Sequence, residues 1–156
     1  MGVYDQGWEA LRQQRHKRAM TLGLVPQDTP MIPMTTTEAW QGLDTDTKRY
    51  QAKRMAVYAA MVEAMDFHIG RLIQHLKDTD QYDNTVFIFA SDNGSEGSGP
   101  SLESTPADNL MLSLLDYTND YDTLGLKGSY STIGPNFASA AASVSYTHLT
   151  LPTTVF

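Results

Sequence analysis

The spacing of apolar residues in the middle of the chain is typical of a helix. From about residue 49 to residue 76, apolar side chains recur at alternating intervals of three and four, so they share one helical face. The residues of this face are Met55, Tyr58, Val62, Met65, Ile69, Leu72 and Leu76. We therefore predict a long amphipathic helix that packs against other parts of the protein.

A different pattern follows a short polar connector. Residues 85–90 read TVFIFA, a run of β-branched and aromatic side chains too short for a helix and bounded by polar and turn-forming residues. Such a run is typical of a central strand in a covered, parallel type of sheet. Helix, connector and strand together predict an α/β fold.

Two polar residues lie where the predicted strand ends, in the sequence SDNG at 91–94. In open α/β sheets ligands bind just beyond the carboxyl ends of the strands, which is where Asp92 and Asn93 fall. Their side-chain oxygens are hard donors suited to Ca²⁺ or Mg²⁺. The same residues are also common in turns, so a plain turn is the alternative interpretation.

Three blocks of sequence resemble the sulfatases. They are YAAMVEAMD at 58–66 with GRL at 70–72, DNT at 83–85, and SDNG at 91–94. Looser similarity at residues 2–5, 8–12 and 134–140 extends the resemblance to residues 1–143, towards the arylsulfatase branch. It implies an alkaline-phosphatase-like α/β sandwich, present here in part, in which a long helix precedes a central strand. It also implies a metal site in which Asp92 and Asn93 are ligands of Ca²⁺, preferred over Mg²⁺.

The resemblance further implies metal-dependent hydrolysis of sulfate esters, on small molecules or sulfated glycans. The family's nucleophile is a formylglycine made from Cys or Ser in the motif Cys/Ser-x-Pro-x-Arg, preceded by an Asp-Asp pair of metal ligands. This chain has no cysteine, no serine in that motif and no Asp-Asp pair. We therefore expect an incomplete catalytic domain at 1–143, an interior piece of a larger enzyme, inactive alone and without a catalytic residue of its own.

Two other functions stay open. A phosphodiesterase or phosphonate hydrolase of the same superfamily would also use an Asp-containing metal site, with Thr or Ser as the nucleophile. A truncated, non-catalytic sulfatase-like remnant would bind metal weakly or not at all.

Residues 144–156 have a different character from the rest. The sequence VSYTHLTLPTT resembles the peptide obtained when sequencing-adaptor DNA is translated, so we expect a non-native tail. The alternative is a short edge strand ended by Pro152. Lys127 is left without a role, because the sequence after it resembles the stretch that precedes the family's sulfate-binding lysine.

Charge narrows the range of partners. Eleven basic and eighteen acidic residues give a net charge of −7, which argues against nucleic acid or an anionic membrane surface as a partner. An anionic substrate remains compatible, because a bound cation can dominate the local field. No run of apolar residues is long enough to span a membrane, and the cellular compartment stays open.

The flanking regions carry weaker patterns. Residues 5–22 predict an amphipathic helix with an apolar side of Trp8, Leu11 and Met20 and a solvated basic side of Arg12, Arg15, Lys17 and Arg18. Residues 23–42 contain three prolines and predict a long loop. Residues 94–120 predict a surface excursion, with a possible short helix at 107–117.

Three polar residues of the long helix invite a functional interpretation that we do not favour. Asp66 lies beside the apolar face, so we expect it to be buried and to pair with Arg71 or another basic group. His68 and His75 are spaced for a similar face but have no accompanying carboxylate motif, so we expect packed or solvated side chains.

Overall fold

The computed structural model describes residues 2–31, 39–92, 94–95, 110, 114–115, 117–118 and 120–141. Three helices in this part of the chain are α1 (Gly7–Thr21), α2 (Thr45–Asp78) and α3 (Gly134–Ala141). Two 3₁₀ turns, Trp40–Gly42 and Tyr82–Asn84, precede and follow α2. No helix in the described ranges is both long and apolar enough to cross a membrane.

Helix α1 confirms the prediction for residues 5–22, and a glycine follows its C-terminal end. Gly23 has φ +70°, a conformation that residues with a side chain rarely adopt. Its N–H donates to Met20 O, and the N–H of Leu24 donates to Ala19 O, both at 3.0 Å. This pair of bonds is the Schellman arrangement, which satisfies the last carbonyl groups of the helix.

Helix α2 confirms and extends the helix predicted at 49–76. Asp44 caps its N-terminus: one carboxylate oxygen accepts the N–H of Thr47 at 2.9 Å and the other accepts the Thr47 hydroxyl at 2.6 Å. At the other end, Asp80 adopts φ 55° while the N–H of Gln81 donates to Leu76 O at 2.9 Å. The 34-residue helix therefore has a polar cap at its start and a left-handed residue just past its end.

The core is an aromatic cluster between α1 and α3. Trp8 of α1 packs edge-to-face on Trp40 and on Phe137 of α3, with ring centroids 4.9 and 5.4 Å apart. All three side chains are buried, and Met55 of α2 is fully buried in the same cluster. Edge-to-face contacts between buried rings add to the stabilisation from their apolar area. The predicted inward positions of Trp8 and Leu11 are therefore confirmed.

The basic side of α1 differs from the prediction. Arg12 is buried, and Arg15 is half-buried with its Nη1 donating to Ala140 O at 3.1 Å, near the C-terminus of α3. Lys17 and Arg18 are exposed as expected, and Met20 is only half-buried. α1 packs against α3, and the long aliphatic stem of an arginine can be buried while its charged end keeps polar partners.

Only the first half of α2 is covered in the described structure. Met55 is buried and Tyr58 is half-buried, whereas Val62, Met65 and Leu72 are exposed. The apolar stripe read from the sequence is thus present on the helix. In the second half of the stripe only Ile69 and Leu76 are half-buried, and the described element that contacts this half of the helix is the 3₁₀ turn at Tyr82–Asn84, near its end.

The strand predicted at 85–90 is not formed in the described residues. Thr85 has extended backbone angles, but no described segment pairs with this run. Val86 and Ile88 are 84% and 90% exposed, so the prediction of a buried central strand is wrong for this structure. The physical reason is that a strand is defined by hydrogen bonds to neighbouring strands, and the described ranges provide only an isolated bridge between Tyr117 and Tyr130.

The polar residues of α2 also lie in the uncovered half. Asp66 is exposed, so its predicted burial is wrong, and no described basic group forms an ion pair with it. Arg71 instead contacts Nδ1 of His68 at 3.2 Å. His68 and His75 are both exposed, in agreement with the expectation of solvated histidines.

Candidate functional site

Asp92 lies at the end of the irregular segment, residues 85–92, that follows α2 and its 3₁₀ turn. The chain leaves α2, passes through the 3₁₀ turn at Tyr82–Asn84 and continues without regular secondary structure to a bend at Asp92. The Asp92 side chain is exposed and therefore accessible to an ion. Asn93, the second predicted ligand, lies outside the described residues.

The donor chemistry at Asp92 suits a hard cation, but one carboxylate does not make a site. Ca²⁺ takes about six to eight oxygen ligands, and Mg²⁺ takes about six with near-octahedral geometry. In the described ranges no three His, Asp or Glu side chains come together in a way that could hold a metal. The described residues therefore offer one ligand of a metal site and do not complete its shell.

The C-terminal part of the chain is described only as far as residue 141. Lys127 lies exposed in the turn-rich stretch before α3, with no described contact that would give it a role. Residues 134–140, which carry part of the looser resemblance, form α3. The predicted tail at 144–156 and most of the possible helix at 107–117 lie outside the described residues.

Arg54 is a functional candidate that the sequence reasoning missed. It is buried, with only 4% of its surface exposed. Its Nε donates to Thr132 O, its Nη2 donates to the Thr132 hydroxyl at 2.7 Å, and its Nη1 donates to Gln51 Oε1 at 3.1 Å. The guanidinium also lies over the Tyr50 ring, 5.5 Å from its centroid. The hydrogen bonds of Arg54 thus link α2 to the segment that leads into α3.

A cavity of about 140 Å³ opens beside Arg54, between the middle of α2 and the chain that precedes α3. Its walls combine apolar side chains with several hydroxyl groups. The sequence carries one weak signal for this region. Helical spacing places two polar residues, Gln51 and Arg54, on the same inward face as Met55 and Tyr58. Nothing in that spacing predicts a contact with Thr132, because Thr132 lies 78 residues further along the chain.

Comparison with known proteins decides the family. A family model described as Sulfatase matches residues 4–132. The chain belongs to the sulfatase family. It is 39% identical over 146 residues to an uncharacterized sulfatase of Schizosaccharomyces pombe, and 37% identical over 141 residues to an arylsulfatase of Klebsiella aerogenes.

These matches cover most of this chain but a small part of each relative. They include 92% and 90% of the chain, and the chain spans 26% and 29% of the lengths of the two relatives. Membership of the sulfatase family implies an α/β fold, whereas the described residues are mainly helical and contain no strand. The exposed run at 85–90 and the uncovered half of α2 are the places in the sulfatase segment where an α/β fold would require further covering structure.

Proposed function

We propose that the protein to which this sulfatase segment contributes hydrolyses sulfate esters of the arylsulfatase type with the aid of Ca²⁺. The observation that carries the proposal is the match to the Klebsiella aerogenes arylsulfatase over 90% of the chain, within a sulfatase family match at 4–132. Small sulfate esters or sulfated glycans are the proposed substrates.

In this proposal Asp92 and Asn93 are two of the metal ligands. A bound cation would supply Lewis acidity and a template for the sulfate oxygens. Asp92 contributes one negative charge and Asn93 a neutral carbonyl oxygen, so their combination leaves the site positive enough to attract a sulfate ester. The exposure of Asp92 at the end of the segment 85–92 supports this role, because a ligand must be accessible to the ion.

Calcium titration of the 156-residue chain tests the ligand assignment directly. We expect weak binding of Ca²⁺ by isothermal titration calorimetry, since most of the coordination shell is not assembled in the described residues. Asp92→Asn should weaken it at least tenfold. Asp83→Asn is the matched control, because it removes the same charge from an exposed carboxylate in the turn that precedes the segment 85–92. Equal calcium affinity in both variants would contradict the assignment.

Activity gives an independent test. The sequence contains no Cys/Ser-x-Pro-x-Arg motif, so we expect no calcium-dependent hydrolysis of nitrophenyl sulfate by this chain alone. Turnover by the purified chain would show that its chemistry does not depend on a formylglycine. In a longer protein that contains this segment, Asp92→Ala should abolish hydrolysis, and near wild-type turnover would contradict the metal role.

Reading the source DNA beyond both ends of the reading frame separates the alternatives. An upstream Cys/Ser-x-Pro-x-Arg motif would support the sulfatase mechanism, whereas a Thr or Ser nucleophile with His-rich metal ligands would favour a phosphodiesterase or phosphonate hydrolase. For a non-catalytic remnant we expect a melting temperature that does not respond to Ca²⁺, because a ligand stabilises only the state that binds it.

A further inference from the structure

The cavity beside Arg54 has the size and lining of a binding site for a small ring. Its volume of about 140 Å³ is close to the ~150 Å³ at which an apolar cavity in a protein accommodates benzene. Apolar side chains of α2 and of the chain before α3 form much of the wall: Val57, Met61, Leu124 and Ile133. Tyr58 adds a hydroxyl group that can donate a hydrogen bond to a polar substituent, whereas the hydroxyls of Ser129 and Ser131 donate to Leu126 O and Thr132 O.

Arg54 adds a positive charge that the described residues do not neutralise. A guanidinium carries one N–H on Nε and a pair on each Nη. The three bonds of Arg54 go to neutral oxygens of Thr132 and Gln51, which leaves one N–H on each Nη without an acceptor in the described part of the chain. No described Asp or Glu forms an ion pair with it.

Burial makes this charge costly. Removal from water lowers the pKa of the Arg54 guanidinium below its usual value, and the neighbouring Tyr50 opposes that shift only in part. A buried charge without a counter-charge is unfavourable, and an anion placed against it recovers part of that energy. The described lining of the cavity contains no second cation, so a singly charged anion would match it best.

We propose that this cavity binds a small aromatic carboxylate, with its ring against Val57 and Ile133 and its carboxylate directed to Arg54. The planar carboxylate suits the planar guanidinium, and the hydroxyl of Tyr58 supplies a further donor. This site is separate from the proposed metal ligands Asp92 and Asn93, and the proposal does not depend on sulfate ester hydrolysis.

Benzoate is the probe, and benzamide is its neutral match in size and shape. We expect saturable binding of benzoate to the 156-residue chain in a ¹H–¹⁵N NMR titration. The chemical shifts of backbone amides around Arg54 and Thr132 should change. Benzamide should bind at least tenfold more weakly. Equal affinities would overturn the proposal, and so would equally tight competition by inorganic sulfate, because an aromatic acid would then not be the ligand.

Two variants locate the site. Arg54→Met should remove the preference for benzoate over benzamide, whereas Lys53→Met, with the same loss of charge on the adjacent residue, should keep it. Lys53 is a suitable control because its Nζ contacts Tyr121 and does not line the cavity. Should Arg54→Met fail to fold, Ser131→Phe decides: it keeps Arg54 and places a ring in the lining, so benzoate should no longer bind. Wild-type binding in Ser131→Phe would overturn the proposal.

Discussion

Trp40 lies directly against the α-carbon of Gly7. A Cβ added to Gly7 would come within 2.3 Å of Cγ and Cδ2 of the Trp40 indole, and Gly7 also has φ +82°. The first residue of α1 must therefore be a glycine for two separate reasons, its backbone conformation and the close approach of the ring. The same contact brings Trp40 against Trp8 and closes one side of the core.

Gly7→Ala should therefore destabilise the protein strongly. We expect a cost of about 1–2 kcal/mol from the left-handed backbone and about 1–3 kcal/mol more from the overpacked ring. Gly23→Ala separates the two terms, because Gly23 has φ +70° but nothing within 4 Å of an added Cβ. Urea unfolding of both variants provides the measurement. A cost for Gly7→Ala no larger than that for Gly23→Ala would show that Trp40 does not cover Gly7.

The cap at Asp44 should make the stability of α2 depend on pH. Hydrogen bonds from the side chain and backbone of Thr47 hold the pKa of the Asp44 carboxyl below its usual value. A carboxyl with a lowered pKa in the folded state stabilises the fold above its unfolded-state pKa. That stabilisation disappears as the pH falls through the folded-state value.

Asp44→Asn tests this dependence, since asparagine can still cap the helix but does not titrate. The stability difference between wild type and Asp44→Asn should be constant near neutral pH and should shift against wild type in acid. Asp46→Asn is the control, because it removes a carboxylate from the same helical turn. The only described ion pair of that carboxylate is with exposed Arg49, at 3.7 Å. If both variants show the same pH dependence in chemical unfolding, the effect belongs to the helix end as a whole and not to the cap.

The bond from Arg54 to the Thr132 hydroxyl should show energetic coupling across 78 residues of chain. Thr132→Val removes the hydroxyl with little change in shape, and Arg54→Met removes the charge and all three donor nitrogens. We expect a coupling energy of about 1.5–3 kcal/mol in a double-mutant cycle, as is usual for a hydrogen bond to a charged group. Ser129→Ala replaces Thr132→Val in the control cycle, since Ser129 lines the same cavity but donates to Leu126 O. Coupling of the same size in both cycles would contradict the specific bond.

The features that the sequence predicts correctly are local ones. The spacing of apolar residues is enough to identify α2, and the apolar side of α1 follows from Trp8 and Leu11 in the same way. Trp40 is buried against Gly7 and Trp8 of α1, and the half-buried Arg15 donates to Ala140 of α3. These partners are distant in sequence, and the spacing of apolar residues does not predict such contacts. The same distinction applies to the candidate sites. The strand-like run before Asp92 is enough to single out that residue from the sequence. The sequence does not predict the role of Arg54, because its partner Thr132 comes close only in the folded chain.

The run at 85–90 provides the sharpest contrast between the sequence pattern and the structure. Ile88 is apolar and β-branched, as expected of a buried strand, yet it is 90% exposed, whereas Met55 of α2 is fully buried. Met55→Ala should therefore cost about 2–5 kcal/mol in the unfolding of this chain. Ile88→Ala should lie within about 0.5 kcal/mol of wild type, because no described neighbour would lose a contact.

Urea unfolding of the two variants decides between an exposed run and a buried strand. If Ile88→Ala costs as much as Met55→Ala, the run is buried in solution and the α/β arrangement forms within this chain. If only Met55→Ala is costly, residues 85–90 lack covering structure here. In a longer sulfatase that contains this segment, Ile88→Ala should then become costly, since burial would convert the same isoleucine into a core residue.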